Sequence, residues 1–138
     1  MSITVLRENE YSKASFDLEK KVGIVEWKPK KLTVEEYKAP FIELNNFAAK
    51  QKDSFRNFIS DTREQSVVSP ENRDWFTKNM IPKAIESGVR RGAVIITGNA
   101  FKKYYLNMII KGSRKFAIDI KVFDDPKKAW KWIESFND

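Results

Sequence analysis

The sequence predicts one α/β domain, residues 1–138, with a largely parallel, mixed sheet of four to five strands, an N-terminal β-hairpin and four main helices. Three observations carry this. Apolar runs of strand length alternate with segments whose apolar residues recur at spacings of three and four, the pattern of an α/β domain. One stretch, Gly92-Ala93-Val94-Ile95-Ile96-Thr97, is almost wholly apolar, as a strand covered on both faces must be. Three helix starts are written in cap chemistry: Thr33 with Glu36 three residues on, Ser69 before Pro70, and Asp125 before Pro126.

Taken in order, Ser15-Phe16-Asp17-Leu18 and Val22-Gly23-Ile24-Val25-Glu26-Trp27 flank a short charged turn and read as the hairpin. Ile3 to Leu6 reads as an edge strand or an ordered tail. After Thr33, the residues Tyr37, Phe41, Leu44 and Ala48 fall on one helical face, with Pro40 inside the pattern. Because proline lacks the N–H and clashes with the preceding turn, a kink or a second segment is expected there. The run Phe55-Arg56-Asn57-Phe58-Ile59-Ser60 reads as a strand. A helix follows from Ser69, interrupted at Pro82 and closed by Gly88. The Val94-Ile95-Ile96 strand is expected inside the sheet. Asn99 caps a further helix carrying Phe101, Tyr104, Tyr105, Met108 and Ile109. Phe116 to Phe123 alternates cleanly, a strand with one face more exposed, near a sheet edge. Ala129, Trp132, Ile133 and Phe136 form the inner face of the last helix. Right-handed crossovers are expected to put helices on both faces of the sheet.

Composition excludes whole classes of chemistry. The chain has no Cys and no His, which removes disulfides, thiol catalysis, the commonest general base and the commonest transition-metal ligand. It shows no Gly-rich phosphate loop and no metal-ligand cluster, so no cofactor is expected. No apolar stretch approaches the roughly 20 residues of a membrane span, and the first residues lack a secretory pattern. A cytoplasmic setting is the expectation. The net charge is +7, with 26 Lys and Arg against 19 Asp and Glu. These basic residues are scattered in pairs along the chain, such as Lys20-Lys21, Arg90-Arg91 and Lys127-Lys128, and read as solvated surface. Nucleic-acid binding is therefore expected to be weak and salt-sensitive.

In open α/β sheets, ligands and partners bind where a strand's carboxyl end turns toward its helix. That rule draws attention to Asp61-Thr62-Arg63 and on to Ser69, and to Thr97-Gly98-Asn99-Ala100. Asp61 and Arg63 stand two apart and point the same way on an extended chain, either as a pair that orders the loop or as a handle for an anion. Thr62, Ser66 and Ser69 are candidate phosphate acceptors; Ser69 is also an economical N-cap, whereas Ser66 has no evident structural task. Asn99 is a candidate ligand-positioning residue or an N-cap. Trp130 and Trp132 cannot both face inward, and a partly exposed Trp130 is a candidate contact anchor. Glu35-Glu36 and Asp124-Asp125 sit at helix starts, where they complement the dipole.

Several segments in this order carry a resemblance. The hairpin ends in Glu26-Trp27 and a strand ends in Asp61-Thr62-Arg63. Ser69 to Phe76 and Ile81 to Arg91 follow, then Ala93-Val94-Ile95-Ile96, and the chain closes on Phe123-Asp124-Asp125-Pro126-Lys127-Lys128-Ala129-Trp130-Lys131-Trp132-Ile133. Over about residues 14–136 this resembles the small bacterial SpoIIAA-like group, whose domains adopt STAS-like or CRAL-TRIO-like α/β folds. The resemblance implies a STAS-like, non-enzymatic interaction or regulatory module engaging a protein partner or a small anionic ligand. STAS domains of the anti-sigma-factor antagonist type accept phosphate in an Asp-Ser-Ser-Gly type loop, and neither candidate loop here has that pattern. A competing reading is a carrier of lipid or another apolar ligand of CRAL-TRIO type; a third is an enzyme using carboxylate with Lys or Tyr. Homodimerisation is left open by the sequence.

Overall fold

A computed structural model describes residues 3–51, 53–98, 103, 107, 108, 110–112, 114, 116, 118–136 and 138. The chain is α/β, built on one mixed sheet of six strands whose spatial order follows the sequence: β1 (Ile3–Glu8), β2 (Ser12–Asp17), β3 (Val22–Trp27), β4 (Asn57–Asp61), β5 (Arg91–Ile95) and β6 (Asp119–Phe123). The first three strands pair antiparallel and β3 to β6 run parallel. The sheet thus has one strand more than expected. Ile3–Glu8 forms a full edge strand because β2 offers it a partner, although most of it stays exposed. The hairpin β2–β3 and the edge position of β6 are as the sequence predicts, and β5 lies between β4 and β6 with all five residues buried.

Helix α1 (Val34–Lys50) starts at Thr33, whose Oγ1 accepts from the Glu36 N–H at 3.1 Å. It continues through Pro40 as one helix, so of the kink and the second segment expected there, the second segment does not occur. Proline gives no N–H to the ladder there, and Pro40 itself is buried. At Pro82 the α-helical run is interrupted, as expected, but by a change of winding rather than a loop, and Pro82 stands in the first turn of the segment that follows. Helix α2 (Pro70–Trp75) passes into a π-helical turn, Phe76–Met80, and on into α3 (Ile81–Glu86). The Ile81 N–H donates to the Phe76 carbonyl five residues back. That wider turn before Pro82 relaxes the crowding its ring imposes on an α-helical turn. The last helix, α4 (Pro126–Glu134), is capped by Asp125, whose Oδ1 accepts from the Lys127 N–H at 2.9 Å.

Strictly sequential strand order has a consequence. Right-handed crossovers that always step in the same direction leave their helices on the same face. Accordingly α1, the π turn and α3 pack on one face, over Phe16, Val25, Trp27 and Phe58. The opposite face is covered instead by the terminal helix: Ala129 and Ile133 of α4 lie against Val22, Ile24, Ile59, Ala93 and Ile95. Helices therefore flank both faces, as expected, but the second face owes its cover to α4 rather than to a crossover.

The end of α3 rests on Gly88, which has φ +106, in the region that side chains avoid. A Cβ at Gly88 would lie 3.1 Å from the Phe55 carbonyl oxygen and would overlap Arg56 Nη1. The Arg56 tip can swing away; the backbone oxygen cannot. Gly88→Ala is expected to cost about 1–3 kcal/mol, read as a lowered urea midpoint with unchanged slope. A loss under about 0.5 kcal/mol, the scale of ordinary surface changes, would refute the strain argument.

Candidate functional site

The carboxyl ends of β4, β5 and β6 open on one edge of the sheet, because the three strands are parallel neighbours. At the end of β4, Asp61 and Arg63 close on each other. Arg63 Nε donates to Asp61 Oδ1 at 2.9 Å and Nη2 to Oδ2 at 2.7 Å, while the Arg63 N–H reaches Oδ1 at 3.2 Å. This is a bidentate, charge-assisted pair. The Asp61 carboxylate holds the Arg63 pKa above its ordinary value, and Asp125 adds a smaller contribution from the start of α4. The β4 loop and the α4 cap are thus electrostatic neighbours.

The Thr62 and Ser66 hydroxyls are held inside the protein, and the half-buried Ser69 is engaged as a helix cap. Thr62 is buried; its N–H donates to the Ile95 carbonyl at 2.9 Å, extending the β4–β5 ladder by one residue, and its Oγ1 donates to the same oxygen at 2.8 Å. Ser69 Oγ accepts from the Asn72 N–H at 3.1 Å and is the N-cap of α2. Ser66 Oγ is turned inward with no hydrogen-bond partner among the described residues. Asn99 lies outside the described residues, as do Ala100, Phe101, Tyr104, Tyr105 and Ile109. Trp130 is half-buried, as anticipated, but so is Trp132; they flank the buried Ala129 and Ile133 on either side. The Lys20 ammonium stands 5.3 Å from the Trp130 ring. Lys20 belongs to the β2–β3 turn, at the opposite end of the sheet from the β4 and β5 loops. Trp130 therefore does not join Asp61 and Arg63 in one site.

What the edge does contain is a crevice between the ends of β5 and β6. The chain leaving β5 reaches helical residues on the α1 face, where Arg73 Nη1 of α2 meets Met108 Sδ at 3.5 Å. The chain leaving β6 enters α4 on the other face. Two adjacent strands whose connections part to opposite faces leave a gap at their carboxyl ends, the usual place for a ligand in such sheets. Here the gap has a volume of about 590 Å³ and is lined by Ile96, Thr97, Gly98, Lys103, Val122, Phe123, Asp124 and Lys128. Lys128 Nζ lies 3.1 Å from Asp124 Oδ1, one helical turn apart across the α4 start. Lys128 holds the Asp124 carboxyl below its usual range, and Lys103 lowers it further from across the gap.

The sequence pointed to the Thr97-Gly98 loop, but Lys103 and Lys128 read as solvated surface charge and Asp124 as a complement to the helix dipole. The spacing of Asp124 and Lys128 was a usable signal, since residues four apart on a helix are neighbours. That Lys103 faces them follows only from the placement of β5 beside β6. Among the described residues no group of three or more acidic side chains is placed to hold a metal ion, and no helix is long and apolar enough to cross a membrane. No protein-family model, curated protein or solved structure matches the chain.

Proposed function

We propose that this chain is a non-enzymatic, STAS-like binding module that takes a small anionic ligand at the carboxyl edge of its sheet. The observation that carries the reading is the β5–β6 crevice, with an ammonium on each wall, Lys103 and Lys128. The Asp61–Arg63 pair stands beside it at the end of the adjoining strand. The face of the sheet under α1 supports this reading over a carrier with an enclosed lipid cavity. Trp27, Tyr37, Phe41, Phe58 and Phe76 fill it with rings whose centroids lie 5.3–6.2 Å apart.

Charge changes at the pair give the test. Arg63→Ala leaves the Asp61 carboxylate uncompensated near the crevice, and Asp61→Asn leaves the guanidinium uncompensated. Anion binding, followed by titration calorimetry at low salt, is expected to weaken a few-fold in the first variant and tighten in the second. Both effects should shrink as salt approaches physiological strength, where the screening length is about 8 Å. Exposed ion pairs contribute only about 0–1 kcal/mol, so the thermal midpoint should hardly move. Two variants that change binding in the same direction, or a large stability loss with intact binding, would assign the pair to loop ordering alone.

A further inference from the structure

The crevice has two chemistries. Its floor is apolar, made by Ile96 and Val122 on one side of the sheet end and Phe123 on the other. Its rim is charged, with Lys103 facing the Lys128–Asp124 pair. Two ammonium groups against one carboxylate leave one net positive charge. Lys103 makes no ion pair among the described residues. Val122 and Phe123 are only half-buried, so apolar surface remains to be covered at the end of β6. The rim is open at Gly98, where an added Cβ would meet no atom within 4 Å.

From this combination we infer that the ligand is a small amphipathic monoanion. Its carboxylate or phosphodiester head would lie between Lys103 and Lys128, with a short aliphatic or aromatic body on Ile96, Val122 and Phe123. The inference rests on the anion-binding reading above and adds the apolar half of the ligand. A volume of about 590 Å³ is within the ordinary range for a small-molecule site and sets the scale of the body. The head supplies orientation through charge, and the body supplies affinity through burial. Each methylene fully seated on the floor tightens binding about fourfold. An anion with no apolar body gains nothing from the floor, and an apolar molecule with no charge gains nothing from the lysines.

Titration of the full chain with hexanoate, acetate, inorganic phosphate and hexanol, followed by calorimetry and by backbone amide shifts, tests this. Hexanoate is expected to bind at least tenfold more tightly than acetate, phosphate or hexanol, with the largest shifts at Gly98, Val122 and Asp124. Lys103→Gln combined with Lys128→Gln should weaken hexanoate at least fivefold without lowering the thermal midpoint, since both side chains are exposed. Equal binding of acetate, phosphate and hexanoate would overturn the amphipathic ligand while leaving the anion-binding reading standing. Equal binding of hexanol and hexanoate would overturn the role of the lysines. Shifts centred away from the β5–β6 edge, or no binding by any of the four, would overturn both readings.

Discussion

Phe41→Ala is expected to remove about 3–5 kcal/mol, a large part of the roughly 5–15 kcal/mol that keeps a domain folded. Phe41 lies midway along α1 with 2% of its surface exposed. Its ring meets Trp27 at 5.6 Å, Tyr37 at 5.4 Å, Phe58 at 6.0 Å, Trp75 at 6.1 Å and Phe76 at 5.3 Å between centroids. A single side chain thus joins β3, β4, α1, α2 and the π turn. The neighbours cannot close over its loss. The Trp27 indole is held by its Nε1 donating to Ser60 Oγ at 3.1 Å, and Tyr37 stacks on that indole at an interplanar angle of 11°. The cavity would persist, which is the condition for the upper range of cost. The adjacent Ile42 is 47% exposed, and Ile42→Ala should stay within about 0.5 kcal/mol. Urea unfolding of the two variants provides the check, and comparable losses would show that Phe41 is not the centre of this face.

The alternation of strands and helices was legible because it is local. Tyr37, Phe41, Leu44 and Ala48 mark one face of α1 by spacing alone, and all four are buried. Thr33, Ser69 and Asp125 each accept the backbone bond that an N-cap makes. What escaped the sequence depends on neighbours far along the chain. Ile3 to Leu6 left an edge strand and an ordered tail both open; pairing with β2 makes it a strand, since it has no buried face of its own. Pro40 offered a kink or a second segment, and α1 runs on through it as one helix; Pro82 marked an interruption, and the form it takes, a π turn leading into α3, was not legible. At the candidate site, the Asp61–Arg63 spacing disclosed a pair that the structure contains. The crevice was hidden because it arises from two connections leaving neighbouring strands toward opposite faces. Nothing in the residues of β5 or β6 alone announces where those connections go.

The second large effect is expected at the opposite end of the sheet, where Arg91 begins β5. Its side chain is 8% exposed, unusual for a guanidinium. Its Nε donates to Asn57 Oδ1 at 2.8 Å, its Nη2 pairs with the Asp138 carboxylate, and the group lies 3.9 Å from the centre of the Phe136 ring. Asp138→Asn should leave this cation buried without its counter-charge. A fully buried pair broken in this way costs about 3–5 kcal/mol; with Asp138 48% exposed, water can reach the site and about 2 kcal/mol is expected. Acid should reproduce part of that loss. Arg91 holds the Asp138 carboxyl below its usual range, so its folded pKa is lower than its unfolded one. The contribution is therefore complete above the unfolded carboxylate value of about 3.9 and is lost as pH falls through the folded value. Urea unfolding between pH 2.5 and 7 should show the Asp138→Asn variant losing less stability on acidification than the parent. Replacing both partners, Arg91→Met with Asp138→Asn, should recover much of the single-variant loss, because an apolar side chain of similar length fills the site without a charge to strand. Parallel acid limbs for parent and Asp138→Asn, together with no recovery in the double variant, would mean that Arg91 is satisfied by Asn57 and Phe136 alone.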